Sequence, residues 1–557
     1  MLTLPAWWAR PGTPGWTPEG SLAFGLPSVF AGHAAGGFEL RDPLMPGPLP
    51  PPGVAEAQAP LAWYDSAAVV IGEGAAWRGF GAALVAAEPV LAPPAGRKPR
   101  SVWTVVSGEA GIERNGIFVA RGDERSWARG GAVSDGRGGL GDLDLAGNHL
   151  WTVSGGARRG AHVLEAGFAQ RGAAEGQRVG AADAARGESG FARWQLNDST
   201  RTLAVRVARG HDERESFASS DAVVYDASRR EGQSNVAELS GTAARGRAQI
   251  GARLELRESR VVRSYPGFGV SDVWRERAAW AAARASVPAG AGRLELSLGG
   301  GFHDAAERKA ERLQLAPGVA WRVGGAPRSL RLFAERVVHP VWSDLAPGTG
   351  AFVQDSWVGG AEARATRGAA RAGVLLLAGS TGARATLVRF PVRDVALLGG
   401  WRREVSRYSF ALSSAEAGAT WRALGADASG FVLARYGDSG QDRVDPAVGG
   451  TAGLGVAFRL FTGDLGVRLR GEGAWIGPRR TDTRQAGFPD ITLPGYATLG
   501  ARAELTLGDA TMVLRAEGLE DAVHEQTWAD LGDFPQLRLA RDSGRTFRFE
   551  MIWPLFN

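Results

Sequence analysis

The chain has 557 residues, with 80 glycines, 19 tryptophans, no cysteine, a formal charge of +5 and a mean hydropathy of −0.14. The absence of cysteine excludes a disulfide framework and every thiolate site, and no apolar run reaches the about 18 residues that a membrane-spanning helix needs. Arginines are spread along the chain with acids beside them instead of forming one patch, which argues against nucleic acid as a partner.

In chain order, Met1–Gly12 (MLTLPAWWARPG) lacks a basic leader, and its apolar run is broken by Pro5 and ended by Arg10. It is not an export signal. Either the chain stays inside the cell or its true start lies upstream of Met1; because the rest of the chain argues for export, the second is expected. Leu44–Gly53 (LMPGPLPPPG) is too rich in proline to join a sheet interior. Val69, Val70 and Ile71 read as a short strand entering a turn at Gly72, Glu73 and Gly74, and Gly81–Val90 is another short apolar piece. Residues 1–100 are therefore expected to form a small irregular domain with a proline-rich linker, and residues 101–557 a second unit.

From Ser101 onward, segments with a period of two follow one another. Leu203, Val205 and Val207 alternate with smaller or charged residues, as do Ala252, Leu254 and Leu256 with Arg253, Glu255 and Arg257. Leu294, Leu296 and Leu298, then Leu465, Val467 and Leu469 against Arg468, Arg470 and Glu472, repeat the pattern. Leu499–Leu507 carries Arg502 and Glu504 between its apolar residues, and Met512, Leu514 and Ala516 alternate with Arg515 and Glu517. A period of two puts each set on one face of a strand; a helix would need 3.6.

Between these segments lie tight turns at Asn197-Asp198-Ser199, Thr462-Gly463-Asp464 and Gly508-Asp509, all with hairpin-turn residues. Long polar stretches are expected as loops at Arg209–Ser220, Ser259–Asp272, Pro340–Gln354, Ser429–Val448, Gly477–Pro494 and Glu520–Ser543. Late in the chain, tight and long connections alternate. A soluble sandwich has no reason for that order, and a propeller would need a repeat of about 40–50 residues, which is absent. An outer-membrane barrel has short turns on one rim and extended loops on the other.

The segments number roughly 22, so the expected fold is all-β: a transmembrane antiparallel β-barrel of about 22 strands with a small irregular N-terminal plug remnant. A barrel that wide leaves a lumen that side chains alone cannot fill. An arginine in lipid costs ~2–4 kcal/mol at the midplane, so the charged face must line the lumen. Arg253, Glu255, Arg468, Arg470, Glu472, Arg502, Glu504, Arg515 and Glu517 are the lumen-lining candidates. The many tryptophans suit two aromatic girdles at the bilayer interfaces.

The last segment, RTFRFEMIWPL, puts Phe547, Phe549, Met551, Trp553 and Leu555 on one face and Arg548 and Glu550 on the other. That is the expected closing strand and assembly signal. Gly437-Asp438-Ser439-Gly440 mimics a serine-protease nucleophile motif but lies in a polar stretch with no supporting His and Asp pattern, so it reads as a turn. Seven scattered histidines lack metal-ligand spacing. Gly299-Gly300-Gly301 follows a strand, but neither Lys-Ser/Thr nor a helix comes after it, so it is no phosphate cradle. No enzyme, metal or cofactor is expected.

Several stretches resemble the TonB-dependent outer-membrane receptors. Leu493–Gln526 with Gly544–Trp553 is similar to that family's last strands, with Tyr496, Leu519, Asp521, Gly544, Arg545, Thr546 and Phe547 in register, Gly518 in place of Asn and Glu520 in place of Phe. Ala316–Leu345 resembles the family's mid-barrel strand and loop, with Pro340 and Leu345 in register. Phe38–Gly47 and Tyr64–Leu84 look like a worn second half of its plug domain, keeping Asp42 and Pro43, then Val69, Ile71 and Gly72. The resemblance implies a bacterial outer-membrane receptor or transporter for a small solute, siderophore-like, vitamin or oligosaccharide. Its expected partners are outer-membrane lipid, the barrel-assembly machinery, the solute and, where an upstream segment exists, TonB; one chain closes the barrel, so a monomer is expected. The family's coupling segment and first plug half have no counterpart ahead of Phe38, which motivates the alternative of a passive pore or structural barrel without energised transport.

Overall fold

The computed structural model describes residues 38–40, 63–64, 66–71, 74–79 and 85–91. From 99 to 554 it describes all except 109–111, 138–147, 177–180, 221–222, 266–269, 306–312, 326, 342–351, 369, 387–402, 422–424, 438–447, 481–491, 494, 521–524, 530–537 and 542–545. Among the described residues, 22 strands form one sheet that closes on itself. Each pairs antiparallel with its neighbours along the chain, and the last, Thr546–Trp553, pairs with the first, Arg100–Gly108, from Arg548↔Gly108 to Trp553↔Trp103. Two small hairpins, Arg479–Arg480 with Thr492–Leu493 and Glu525–Ala529 with Arg538–Arg541, lie outside the barrel sheet. The expected closed antiparallel barrel and its strand number are observed.

Which face points outward is settled by exposure. Leu203, Val205, Val207, Leu254, Leu256, Leu296, Leu298, Leu376 and Leu514 are all exposed, whereas Arg129, Glu165, Glu255, Arg331 and Arg515, on the other face of the sheet, are buried. A soluble sandwich would show the reverse. The outer face is apolar because it meets hydrocarbon, where only a closed sheet satisfies every backbone donor and acceptor. Tryptophans flank that band. Trp103, Trp194, Trp321 and Trp553 lie near strand ends at the tight turns, with Trp103 and Trp553 stacked at 6.4 Å. Trp151, Trp357 and Trp475 lie toward the opposite ends, with Trp151 edge-on to Phe168 at 6.3 Å and Arg336 above Trp357 at 5.9 Å. An indole with a cation beside it suits the headgroup layer.

The tight turns at Asp198, Gly246, Gly463 and Gly508 share one rim, and their chemistry is local. Gly246 and Gly508 adopt φ of +60° and +55° at the first position of two-residue turns, a left-handed geometry that a side chain resists. In the turn before Arg201, the Asp198 carboxylate accepts from the backbone N–H of Thr200 at 2.7 Å and of Arg201 at 2.6 Å. Those bonds hold its pKa below the ordinary value of 3.8.

Two expected loops are instead strand, and a third, Ser429–Val448, is strand from Ser429 to Gly437. Arg201–Ser220 and Val223–Arg245 run 20 and 23 residues and pair across almost their whole length, and Ala248–Tyr265 and Val270–Ala289 do likewise. A tilted strand spans the bilayer in about 9–11 residues, so their outer halves stand in water. Polar residues on both faces there removed the amphipathic signal without removing backbone pairing. The long connections expected late in the chain lie mostly outside the described residues, as do Asp42, Pro43, Gly72, Leu555 and the Asp438-Ser439-Gly440 part of the protease-like motif.

Two outcomes follow. Leu254→Arg, on the outer face, is expected to lower barrel stability by ~2–4 kcal/mol, read as the urea midpoint in lipid vesicles, with Leu254→Ala as the smaller reference. Because the Asp198 pKa is depressed, its contribution is complete above the ordinary carboxylate value and drains as pH falls through the lowered one. The stability gap between wild type and Asp198→Ala should therefore narrow in acid; a gap independent of pH would assign the effect to something other than the carboxylate.

Candidate functional site

Inward side chains from neighbouring strands meet in ion-pair networks around the lumen wall. Glu165 is buried between two arginines, with Arg129 Nη2 and Arg193 Nη2 each 2.5 Å from one of its oxygens. Arg253 reaches Glu238 at 3.1 Å and Glu255 at 2.9 Å. Arg331 and Arg364 share Glu362. Asp427 accepts from Arg468 at 2.9 Å and from Arg470, which also meets Glu472 at 3.0 Å. Arg502 pairs with Glu504 at 3.2 Å. A buried carboxylate keeps its charge only with such partners, so the networks let a wide charged wall exist without a packed core.

The structure thus brings the lumen candidates Arg253, Glu255, Arg468, Arg470, Glu472, Arg502 and Glu504 into ion pairs on the inner wall. Arg515 is buried on the same face. Glu517 ends the strand Ala510–Glu517. On the closing strand, Phe547 and Trp553 are exposed outward, with Phe549 and Met551 on the same face opposite Leu514 and Met512.

The N-terminal segment packs against this wall. A three-stranded sheet places Val85–Val90 between Phe38–Leu40, parallel to it, and Ser66–Ile71, antiparallel; Val69 and Ile71 lie in the last of these. Trp63 is fully buried and stacks on Phe118 at 5.3 Å, within a cluster that includes Val102, Val133 and Leu150. Gly131 makes room for that indole: a Cβ there would lie 2.5 Å from Trp63 Cζ3. A second contact is made by the helical turn Ala75–Arg78. The Trp280 indole N–H donates to the Ala76 carbonyl at 2.9 Å, and Arg253 Nη1 donates to the Trp77 carbonyl at 3.1 Å. Arg284 lies 4.2 Å above the Trp77 ring. A third wall donor, Arg129 Nη1, reaches the Leu91 carbonyl at 3.3 Å.

Gly299-Gly300-Gly301 lies inside the strand Gly292–Ala305, not after one. Its role is steric. A Cβ on Gly299 would come 2.2 Å from Trp280 Cζ2, and one on Gly301 would meet the Ala279 carbonyl at 2.2 Å. The glycines let Trp280 lie flat on the wall and reach the helical turn. Sequence alone missed Trp63, Arg129, Glu165, Trp280 and Glu362, because their partners, up to 204 positions away, are not visible in it. Among the described residues no group of three or more His, Asp or Glu side chains could hold a metal ion, and His162 stacks on Trp194 at 5.8 Å.

Gly299→Ala is expected to displace the Trp280 ring and break its bond to Ala76, destabilising the protein by about 1–3 kcal/mol. It should also speed protease cleavage near residue 76 relative to wild type; unchanged cleavage would mean the indole does not hold the helical turn.

No protein-family model and no curated protein sequence matches the chain. Solved structures do. The copper transporter OprC superposes with a TM-score of 0.73 at 11% identity, covering 93% of this chain and 92% of its own. The FrpB iron transporter from Neisseria meningitidis gives 0.72 at 10% identity and covers 98% of both chains. The ferric yersiniabactin uptake receptor FyuA from Yersinia pestis gives 0.67 at 11% identity, covering 87% of this chain and 84% of its own. At these identities the likeness establishes the fold, which is the receptor-type barrel that the resemblance to TonB-dependent receptors implied.

Proposed function

We propose that the chain is a non-enzymatic outer-membrane receptor that takes up a small solute at its long-loop rim and passes it through the lumen. The observation that carries this reading is the inversion of the sheet: leucines and valines exposed outside, ion pairs buried inside, in a wall closed by its first and last strands. That arrangement is stable only with hydrocarbon around it and water or protein within it. The N-terminal residues 38–91 act as a partial plug, because Trp63, Ala76, Trp77 and Leu91 all contact the inner wall. The likeness to a copper transporter, an iron transporter and a ferric yersiniabactin uptake receptor supports uptake as the task. The solute is siderophore-like, a vitamin or an oligosaccharide. The outward aromatic stripe Phe547, Phe549, Met551 and Trp553 serves as the signal for the barrel-assembly machinery.

The intact chain should fractionate with the outer membrane of a diderm host and run faster on gels unheated than heated. In planar bilayers it should stay largely closed, since the plug residues occupy part of the lumen. A water-soluble product, or identical mobility before and after heating, would overturn the barrel reading. Constitutive large conductance would select the passive pore instead.

A further inference from the structure

Four neighbouring strands change character at one level of the outer face. Nearer the tight turns they show Val207, Ala237, Leu256 and Ala279; two residues further along each strand stand Arg209, Asn235, Glu258 and Arg277, side by side in register. Counted from the tight-turn ends, Arg209 is the ninth residue of its strand, and Asn235 and Glu258 are the eleventh of theirs. A tilted strand crosses the hydrocarbon in about 9–11 residues, so this row marks the headgroup layer on the long-loop side.

A groove of about 880 Å³ is cut into the outer face at that level. Its apolar part is one row in register across six strands, in which Ala192, Ala237 and Ala279 alternate with Val207, Leu256 and Phe302. The alanines leave furrows between the larger side chains, of a width that suits an alkyl chain. Arg209, Asn235, Glu258 and Arg277 line the polar end.

The cations at this end differ in their partners. Arg277 is paired with Glu258 at 3.2 Å. Arg209 is exposed and bonds to no described residue; Glu188, diagonal to it on the next strand, is taken by Arg186 at 2.8 Å and Gln170 at 3.2 Å. One row further from the bilayer, Arg260 directly faces Arg275, both are exposed, and neither bonds to a described residue. Like charges at opposed positions weaken a sheet, and a guanidinium cannot escape by losing its proton. Glu213 and Glu231 stand a row beyond, the former held by Arg229 at 3.7 Å.

We propose that the groove holds an acyl chain of an anionic, phosphate-bearing lipid whose headgroup lies against Arg209, Arg260 and Arg275. Depth selects the occupant. Hydrocarbon covers the apolar row, so the molecule that reaches both the furrows and the arginines has a chain at one end and a charge at the other. Arginine forks match phosphate oxygens two at a time, and a bound phosphate relieves the repulsion between Arg260 and Arg275. A zwitterionic lipid would bring a second cation beside the same guanidinium groups. The inference goes beyond solute uptake and depends only on the wall facing lipid.

The test uses the full chain in neutral detergent, titrated with phosphatidylglycerol and with phosphatidylcholine of the same chains. Glycerophosphoglycerol supplies the anionic headgroup without chains, and mass spectrometry of the intact complex reads the bound lipid. Phosphatidylglycerol should stay bound where phosphatidylcholine is lost, and glycerophosphoglycerol should not displace it. The double variant Arg260→Gln with Arg275→Gln should weaken phosphatidylglycerol about tenfold. Ala237→Phe, which fills a furrow and leaves every charge in place, should weaken it too, whereas Arg159→Gln at the tight-turn rim should not. Heat-modifiable mobility of each variant separates lost binding from lost fold. The proposal fails if wild type holds both lipids alike, or if the double variant or Ala237→Phe binds as wild type does. It fails equally if Arg159→Gln weakens binding as much, or if the chain-free headgroup competes as well as the lipid. A heat-modifiable barrel without the preference overturns the lipid site alone. A chain with no heat-modifiable form overturns the barrel reading beneath it.

Discussion

The pairing of Thr546–Trp553 with Arg100–Gly108 is the contact on which the rest of the molecule depends. In hydrocarbon an unpaired backbone N–H or C=O costs several kcal/mol. Two open edges in lipid would outweigh most of what a domain gains by folding, about 5–15 kcal/mol in total. Closure removes both edges and fixes the register of every strand between them. A slip of one residue anywhere would turn leucines inward and arginines outward.

Closure creates the second problem. With 22 strands the wall encloses more space than its own side chains fill. Two devices answer it. Charged residues on the inner face form short chains of ion pairs, so Arg129, Glu165 and Arg193 are tied across three strands. The N-terminal segment occupies part of what remains, inserting Trp63 over Gly131 and a helical turn under Trp280. Where the wall accepts the Trp63 and Trp280 rings it carries glycine, with apolar residues such as Phe118 and Leu150 beside the first.

How much of this was legible follows from the range of each interaction. The alternation of Leu254 and Leu256 with Arg253 and Glu255 is a local property and gave strand, face and fold together. The turns at Asp198, Gly463 and Gly508 were equally local. Arg209–Ser220 was misread as a loop because, above the bilayer, water meets the outer face as well and the sequence there reads as polar throughout. The Gly299–Gly301 run was misread as a strand end because the ring that requires it comes from the adjacent strand.

The N-terminal segment was the least legible part, and the structure gives a physical reason. Three wall donors that hold it, Arg129, Arg253 and Trp280, bond to the carbonyls of Leu91, Trp77 and Ala76. A carbonyl is present at every residue, so such an attachment leaves no pattern in the sequence of the segment being held. Each bond from a charged donor contributes about 1.5–3 kcal/mol net, enough together to seat a short segment whatever side chains lie between its anchors. Much of the information about where the N-terminal segment sits is therefore written in the barrel wall, in the arginines and in the glycines that clear space for tryptophan, while Trp63 and Trp77 are the side chains by which the segment itself contributes.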